Sequence, residues 1–388
     1  MGLLATTQLS VLSASQAQYL ETVDIAKLGT DQVRALTSAA LSGLTTSQVS
    51  SLSTTQLAAL KTSQISGFNS SQIGSLSSAN FVTLGTDQLA VISATQIKGL
   101  QAAAFANLST DQLRSLGNSA IAALSTEQTS ALSAAKLSQL TTSQTAVLGA
   151  GSIAALTSDQ AKNLTAGQVT ALTSLQVKSL QADNFAKLTT DQIRALTSTA
   201  VAVLGTDQLA ALTTLQASKL TSAQVTALSA TQLAAISTAN FATLTSDGIA
   251  ALSTTQAKAM TSDQVKSMST TQASSLTSSA LSVMTSSQVS AFSNADLAAI
   301  TTQAIQGLTV ASLNALSSAQ LTSLTSDQVK ALGTAQVAGL NTAQIQALST
   351  AQFNSLGTSQ VAALSATQVG VIETADIAAL TTAATATL

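Results

Sequence analysis

An eight-residue repeat runs through the whole chain and restricts it to a small number of folds. Every eighth residue from Leu4 to Leu388 is large and apolar, and 40 of these 49 positions are leucine. We number each octad so that this residue is position 8. Position 4 is then glutamine at 31 of 48 places, and position 5 is usually aliphatic. A period kept over so many units indicates a repeat architecture in which each octad is one structural unit.

Three conformations are compatible with an eight-residue unit, and the spacing of the apolar positions distinguishes them. In one continuous helix the apolar stripe would drift by about 80° per octad and leave no lasting core face. In an uninterrupted strand positions 5 and 8 would face opposite sides, so a β-solenoid requires a corner in every repeat. In one short helix per octad the two positions form an i,i+3 pair on one face.

The residues at the start of each octad favour the short helix. Position 1 holds Ser, Thr, Gly or Asn, which are preferred at a helix N-cap, as in Ser53, Gly85 and Thr189. Glutamine three residues later completes a capping box. Asp or Glu concentrates at position 3, near the positive end of the helix dipole, and Lys or Arg at position 6 adds i,i+3 pairs such as Asp111/Arg114.

Helices this short are stable only when they stack on one another. We therefore predict an all-α solenoid of about 48 short-helix octads, with Ser, Thr or Gly at the N-cap, capping-box Gln and a continuous leucine core. The β-solenoid is the alternative. Because the register is unbroken over residues 1–388, we expect a single continuous solenoid without separate domains.

A weaker repeat of 80 residues lies above the octad. The three arginines of the chain, Arg34, Arg114 and Arg194, are each 80 residues apart. Duplication of a ten-octad block is one explanation. The other is that ten octads make a whole number of superhelical turns, in which case these arginines form a lateral contact stripe on one side of the coil.

The composition argues against several classes of function. The chain has no His, Cys, Trp or Pro, and only 8% of its residues are charged. We therefore expect no catalytic, metal-binding or cofactor-binding residues and no enzymatic activity. A net charge of −2 removes the attraction on which nucleic-acid binding depends. No apolar run approaches the roughly 18 to 20 residues of a transmembrane helix.

The two ends of the repeat array lack the atypical polar repeats that cap monomeric solenoids. Met1, Leu3 and Leu4 open the array in mid-octad, and Leu380 and Leu388 end its last two octads. Uncapped ends of one coil are complementary surfaces, and head-to-tail contacts of that kind extend into an open filament. We expect these five residues to contribute to self-association into a homopolymer.

The octets in LTTDQIRALTSTAVAVLGTDQLAAL, residues 188–212, resemble those of long repetitive proteins of Gram-negative bacteria classed as surface, adhesin-like or secreted. The resemblance implies a structural subunit of an extracellular filament or surface layer, with a bacterial surface or matrix as a further partner. A non-catalytic adhesin stalk or binding scaffold is the alternative. Because the N-terminus shows no signal-peptide pattern, we expect export without a cleaved N-terminal signal peptide, with a cytoplasmic location as the alternative.

Overall fold

The computed structural model describes residues 4–380 and 382–385. Regular structure in this part of the chain consists of 48 α-helices of four to six residues, each beginning at position 2 of an octad. The predicted all-α solenoid of one short helix per octad is confirmed. The β-solenoid alternative is wrong, since the described residues contain no strand.

The chain divides into two compact units, Met1–Leu196 and Thr197–Leu388. The helices of the first unit are α1 (Thr6–Leu9), α2 (Ala14–Ala17), α3 (Thr22–Ala26), α4 (Thr30–Ala35), α5 (Ser38–Ser42), α6 (Thr46–Ser50), α7 (Thr54–Ala59), α8 (Thr62–Ile65), α9 (Ser70–Gly74), α10 (Ser78–Phe81), α11 (Thr86–Ala90), α12 (Ala94–Gly99), α13 (Ala102–Asn107), α14 (Thr110–Ser115), α15 (Asn118–Ala122), α16 (Thr126–Ser130), α17 (Ala134–Leu137), α18 (Thr142–Val147), α19 (Ala150–Ala154), α20 (Ser158–Asn163), α21 (Ala166–Ala171), α22 (Ser174–Ser179), α23 (Ala182–Phe185) and α24 (Thr190–Ala195).

The helices of the second unit follow the same spacing. They are α25 (Ser198–Val201), α26 (Thr206–Ala210), α27 (Thr214–Ala217), α28 (Ser222–Ala227), α29 (Ala230–Ala235), α30 (Thr238–Phe241), α31 (Ser246–Ala250), α32 (Thr254–Ala259), α33 (Ser262–Lys266), α34 (Thr270–Ser274), α35 (Ser278–Val283), α36 (Ser286–Val289), α37 (Asn294–Ala299), α38 (Thr302–Ile305), α39 (Val310–Asn314), α40 (Ser318–Thr322), α41 (Ser326–Ala331), α42 (Thr334–Ala338), α43 (Thr342–Ala347), α44 (Thr350–Ser355), α45 (Thr358–Ala362), α46 (Ala366–Val369), α47 (Thr374–Ala379) and α48 (Thr382–Thr385).

Each helix begins at the predicted cap and ends at the leucine of position 8. In the octad of α7, Ser53 is extended (φ −69°, ψ 160°) and its Oγ accepts a hydrogen bond from the Gln56 N–H at 3.3 Å. Leu60 is extended again, with φ −63° and ψ 144°. The corner between successive helices therefore consists of positions 8 and 1. No residue with positive φ occurs in the described chain, so Ser and Thr adopt this corner as readily as Gly.

Successive turns of the coil are defined by which helices meet. Within each unit a helix packs on the third helix after it, as α9 does on α12 and α32 on α35. Hydrogen bonds between turns join residues 25 to 31 apart, from Ser38 Oγ to the Ser63 oxygen at one extreme to Gln56 Nε2 and the Ile25 oxygen at the other. One turn of the coil therefore contains more than three octads and fewer than four.

Positions 5 and 8 line the interior of each turn. Leu57 and Leu60 are 0% and 4% exposed, and the methionines Met260, Met268 and Met284 occupy position 8 in the same buried way. Burying a side chain of this size contributes roughly 1.5 to 3 kcal/mol. Two such side chains in nearly every octad stabilise helices that would not persist alone.

Glycine is required where two turns approach closely, and these sites are at position 7. A Cβ on Gly307 would overlap the main-chain oxygen of Ser278, 29 residues earlier, and one on Gly99 would overlap that of Ser70. Gly333 at corner position 1 differs, since its Cβ would meet only Gln336 Oε1 at 3.5 Å. Glycine at the corner is thus one choice among several, whereas these position-7 glycines are needed for packing.

Candidate functional site at the ends of the coil

The glutamine at position 4 is the polar centre of an interior octad. Gln56 is 3% exposed, and its Oε1 accepts a hydrogen bond from the Ser53 N–H at 2.8 Å. Its Nε2 donates to the main-chain oxygens of Ile25 and Leu28, at 2.8 Å each. Bonds of the same pattern recur at Gln96 and Gln264. We call the series of Nε2 bonds to carbonyls 31 and 28 residues earlier the glutamine ladder.

The capping role of this glutamine was predictable from its spacing, but its role as a donor between turns was not identified. One signal for it is present in the sequence. A capping box accepts Glu as well as Gln, because only the side-chain oxygen is used. No octad has Glu at position 4. The exclusion of Glu indicates that the amide nitrogen is needed.

Other residues at position 4 show which part of the ladder is essential. Asn184 and Asn240 are shorter than glutamine and donate only to the nearer carbonyls, those of Leu156 and Leu212, at 2.5 and 2.7 Å. Lys136 donates through Nζ to the main-chain oxygen 30 residues earlier. A donor directed toward the preceding turn is therefore retained even where the amide is shortened or replaced.

Alanine at position 4 removes the donor, as a cavity at Ala304 illustrates. This cavity has a volume of about 280 Å³, and its lining includes Leu276, Thr301 and Gln303. Within the described chain the Thr301 N–H and the Leu276 carbonyl have no hydrogen-bond partner. They correspond to the groups that a ladder glutamine engages elsewhere. The cavity is therefore a gap in the ladder, lined mainly by main-chain polar groups.

At the N-terminal end of the first unit, the ladder donors face outward. Gln8 and Gln16 are exposed, and their Oε1 atoms accept hydrogen bonds from the N–H groups of Ala5 and Ser13 at 2.8 and 2.9 Å. Their Nε2 atoms meet no acceptor among the residues described. Gln32 marks where the ladder begins, since its Nε2 donates to the Leu4 oxygen at 2.7 Å.

The same end exposes apolar side chains. The position-8 leucines Leu4, Leu12 and Leu20 are only partly buried, whereas most of those further along are no more than 6% exposed. Three other large apolar side chains here lie in solvent, at 77%, 82% and 58% exposed: Val11, Tyr19 and Val23. The N-terminal turn thus combines apolar surface with unused amide donors.

The C-terminal end of the second unit presents the opposite polar groups. Leu340 O still accepts from Gln368 Nε2 at 2.8 Å. Beyond it, the position-8 carbonyls of Leu364 and Ile372 receive no hydrogen bond from any described residue, and both side chains are partly exposed. This end therefore offers main-chain acceptors beside apolar side chains.

The residues predicted to mediate self-association are placed unequally. Leu4 lies at the exposed N-terminal turn, as described above. Leu380 is buried, with 7% exposure. Met1, Leu3 and Leu388 lie outside the described residues.

The three arginines predicted to form a lateral stripe are all exposed and all belong to the first unit. Arg114 donates from Nε to the main-chain oxygen of Gln139 at 2.8 Å, and so bridges to the next turn in place of the expected pairing with Asp111. A turn of between three and four octads is compatible with three complete turns per ten octads. The alignment of Arg34, Arg114 and Arg194 along one side stays a prediction.

Two further searches of the described residues bear on binding and location. No group of three or more Asp or Glu side chains is placed to hold a metal ion there. No helix in that part of the chain is long and apolar enough to cross a membrane.

Comparison with known proteins identifies the repeat. The model of the ALTTAQ repeat matches residues 18–54, 54–86, 177–214, 185–222, 233–270, 311–342 and 337–371. Together these segments cover more than half of the chain. A search of curated proteins finds no match. The matched segments repeat the octad register that places the ladder glutamines, and the chain belongs to the ALTTAQ repeat family.

Proposed function

We propose that this chain is a non-catalytic structural subunit that assembles head to tail with copies of itself into an extracellular filament or surface layer. The observation that supports this most directly is the contrast between the interior and the ends of the coil. Interior glutamines such as Gln56 are buried and bonded to the preceding turn, whereas Gln8 and Gln16 are exposed with unused donors. Partly exposed leucines accompany them.

Head-to-tail joining follows from the direction of the repeat. Two different surfaces that fit each other, one at each end of a subunit, form a heterologous contact, and such contacts propagate into open assemblies. Side-by-side contact between filaments is a second part of the proposal. It uses the low-charge surface and the predicted stripe of Arg34, Arg114 and Arg194.

The extracellular location is proposed on two grounds. The octets resemble those of surface and secreted repetitive proteins of Gram-negative bacteria. The composition, with 8% charged and 2% aromatic residues, is also what we expect of material exported in bulk.

Sedimentation velocity of the purified full chain tests self-assembly. Over a concentration series we expect a threshold above which most of the protein sediments as large particles, and short fragments of these particles should seed growth below the time scale of spontaneous assembly. A chain that sediments as a monomer throughout the series would contradict the proposal. That result would favour a binding scaffold.

A further inference from the structure

We infer that the joint between two copies is a continuation of the glutamine ladder, in which Gln8 and Gln16 of one copy donate to main-chain carbonyls at the C-terminal end of another copy. This inference rests on the proposed head-to-tail assembly and adds to it the chemistry, polarity and register of the contact.

The donors are already oriented for such a joint. In an interior octad the N-cap N–H holds Oε1, which leaves Nε2 directed at the preceding turn: Thr45 N–H binds Gln48 Oε1 at 2.6 Å while Nε2 reaches the Leu20 oxygen. Gln8 and Gln16 are held by the same capping bond, from Ala5 and Ser13. Little side-chain entropy is therefore lost when their Nε2 atoms bind an acceptor.

The acceptors are the counterparts that the ladder uses inside the chain. The position-8 carbonyl of Leu332 accepts from Gln360 at 2.8 Å, and that of Leu340 from Gln368 at the same distance. At Leu364 and Ile372 the corresponding carbonyls are without a donor in the described structure. Two octads that offer donors at one end thus match two octads that offer acceptors at the other.

The apolar surfaces at the two ends match in the same way. Partly exposed Leu4, Leu12 and Leu20 occupy the position-8 register at the N-terminal turn, and partly exposed Leu364 and Ile372 occupy it at the C-terminal one. Stacked in the order of the coil, they continue the interior core from one copy to the next. The hydrogen bonds then determine the register, because a slip by part of an octad would separate every donor from its carbonyl.

The ladder also determines the polarity of the filament. Two N-terminal ends facing each other would bring amide donors against amide donors, and two C-terminal ends would bring carbonyl against carbonyl. Unsatisfied polar groups of this kind cost free energy when they are buried at a contact. Only the head-to-tail arrangement satisfies both sets, so the filament is polar.

The double variant Gln8→Glu/Gln16→Glu tests the joint. A glutamate side chain keeps the oxygen that caps the helix but replaces Nε2 with a carboxylate oxygen that would face the carbonyls. We expect the critical concentration for assembly to rise at least about a hundredfold. The control Gln306→Glu/Gln346→Glu adds the same charge at exposed position-6 side chains and should assemble like the natural chain.

A second variant separates loss of the donor from the added charge. Gln8→Lys/Gln16→Lys supplies an Nζ donor of the kind that Lys136 uses within the chain. Its critical concentration should stay within about tenfold of the natural chain. Far-UV circular dichroism should be the same for all variants, because the substituted side chains are exposed.

The outcomes distinguish the inference from the proposed function. If the natural chain assembles and the Glu variant assembles equally well, the ladder joint is wrong although head-to-tail assembly stands. If the Lys variant is as impaired as the Glu variant, the donor is not what matters and the inference is overturned. If the natural chain does not assemble at all, both are wrong.

Discussion

Nε2 of Gln56 donates a hydrogen bond of 2.8 Å to the main-chain oxygen of Leu28, 28 residues earlier in the sequence and one turn away in the coil. This contact joins two octads that are alike in sequence. It repeats along both units, so that one side chain per octad caps its own helix and bonds to the preceding turn.

Replacing an interior ladder glutamine with glutamate should destabilise the protein. In Gln56→Glu the capping oxygen is kept, but a carboxylate oxygen faces the carbonyls of Ile25 and Leu28 in a buried site. We expect a loss of about 3 kcal/mol in the free energy of unfolding, measured by chemical denaturation. Gln8→Glu is the matched control and should change it by less than about 0.5 kcal/mol. Equal effects at the two positions would contradict the donor role of the ladder.

Filling a gap in the ladder should stabilise the protein. Ala304→Gln places an amide beside the Thr301 N–H and the Leu276 carbonyl, which have no hydrogen-bond partner among the described residues. The gain should be about 1 to 2 kcal/mol, seen as a higher midpoint of thermal unfolding. Ala304→Leu fills the same cavity without hydrogen bonds and should gain less. A Gln variant no more stable than the Leu variant would show that the hydrogen bonds contribute nothing there.

Position-7 glycines should be intolerant of a side chain. In Gly307→Ala the new Cβ overlaps the Ser278 main-chain oxygen, so the two turns must move apart. We expect a loss of about 1 to 3 kcal/mol in the free energy of unfolding. Gly333→Ser at a corner should be neutral or slightly stabilising, because serine is a good N-cap residue. An unaffected Gly307→Ala protein would mean that the turns are packed less closely than described.

The assembly defect of the Gln8→Glu/Gln16→Glu variant should depend on pH. Only the protonated carboxyl can donate to a carbonyl, so contact with the joint raises the pKa of these introduced groups and assembly strengthens as the pH falls toward about 4.3, the ordinary glutamate pKa. The critical concentration measured at pH 7 and at pH 4 should fall in acid by more than that of the natural chain. A ratio between variant and natural chain that does not change with pH would count against the donor model.

Much of the fold follows from the octad alone. The i,i+3 spacing of positions 5 and 8, with Ser, Thr or Gly at position 1 and Gln at position 4, is sufficient to predict one capped helix per repeat, and helices such as Thr54–Ala59 begin and end where this pattern places them. These are local interactions within eight residues. Local chemistry of this kind is readable from sequence.

The contacts between turns were not predictable in the same way, for a physical reason. Because successive octads are nearly identical, nothing in Gln56 itself indicates that its donor pairs with Ile25 and Leu28 and not with another octad. The number of octads per turn depends on the angle at each corner, which the capping pattern does not fix. Two signals were nevertheless present: the absence of Glu at position 4, and glycine at position 7 in octads such as that of Gly307.

Electron microscopy of the purified full chain tests the central claim most directly. Negatively stained samples over a concentration series should contain unbranched fibres of one width above a threshold concentration, and the Gln8→Glu/Gln16→Glu variant should lack them at the same concentrations. Separate particles at every concentration of the natural chain would contradict head-to-tail assembly.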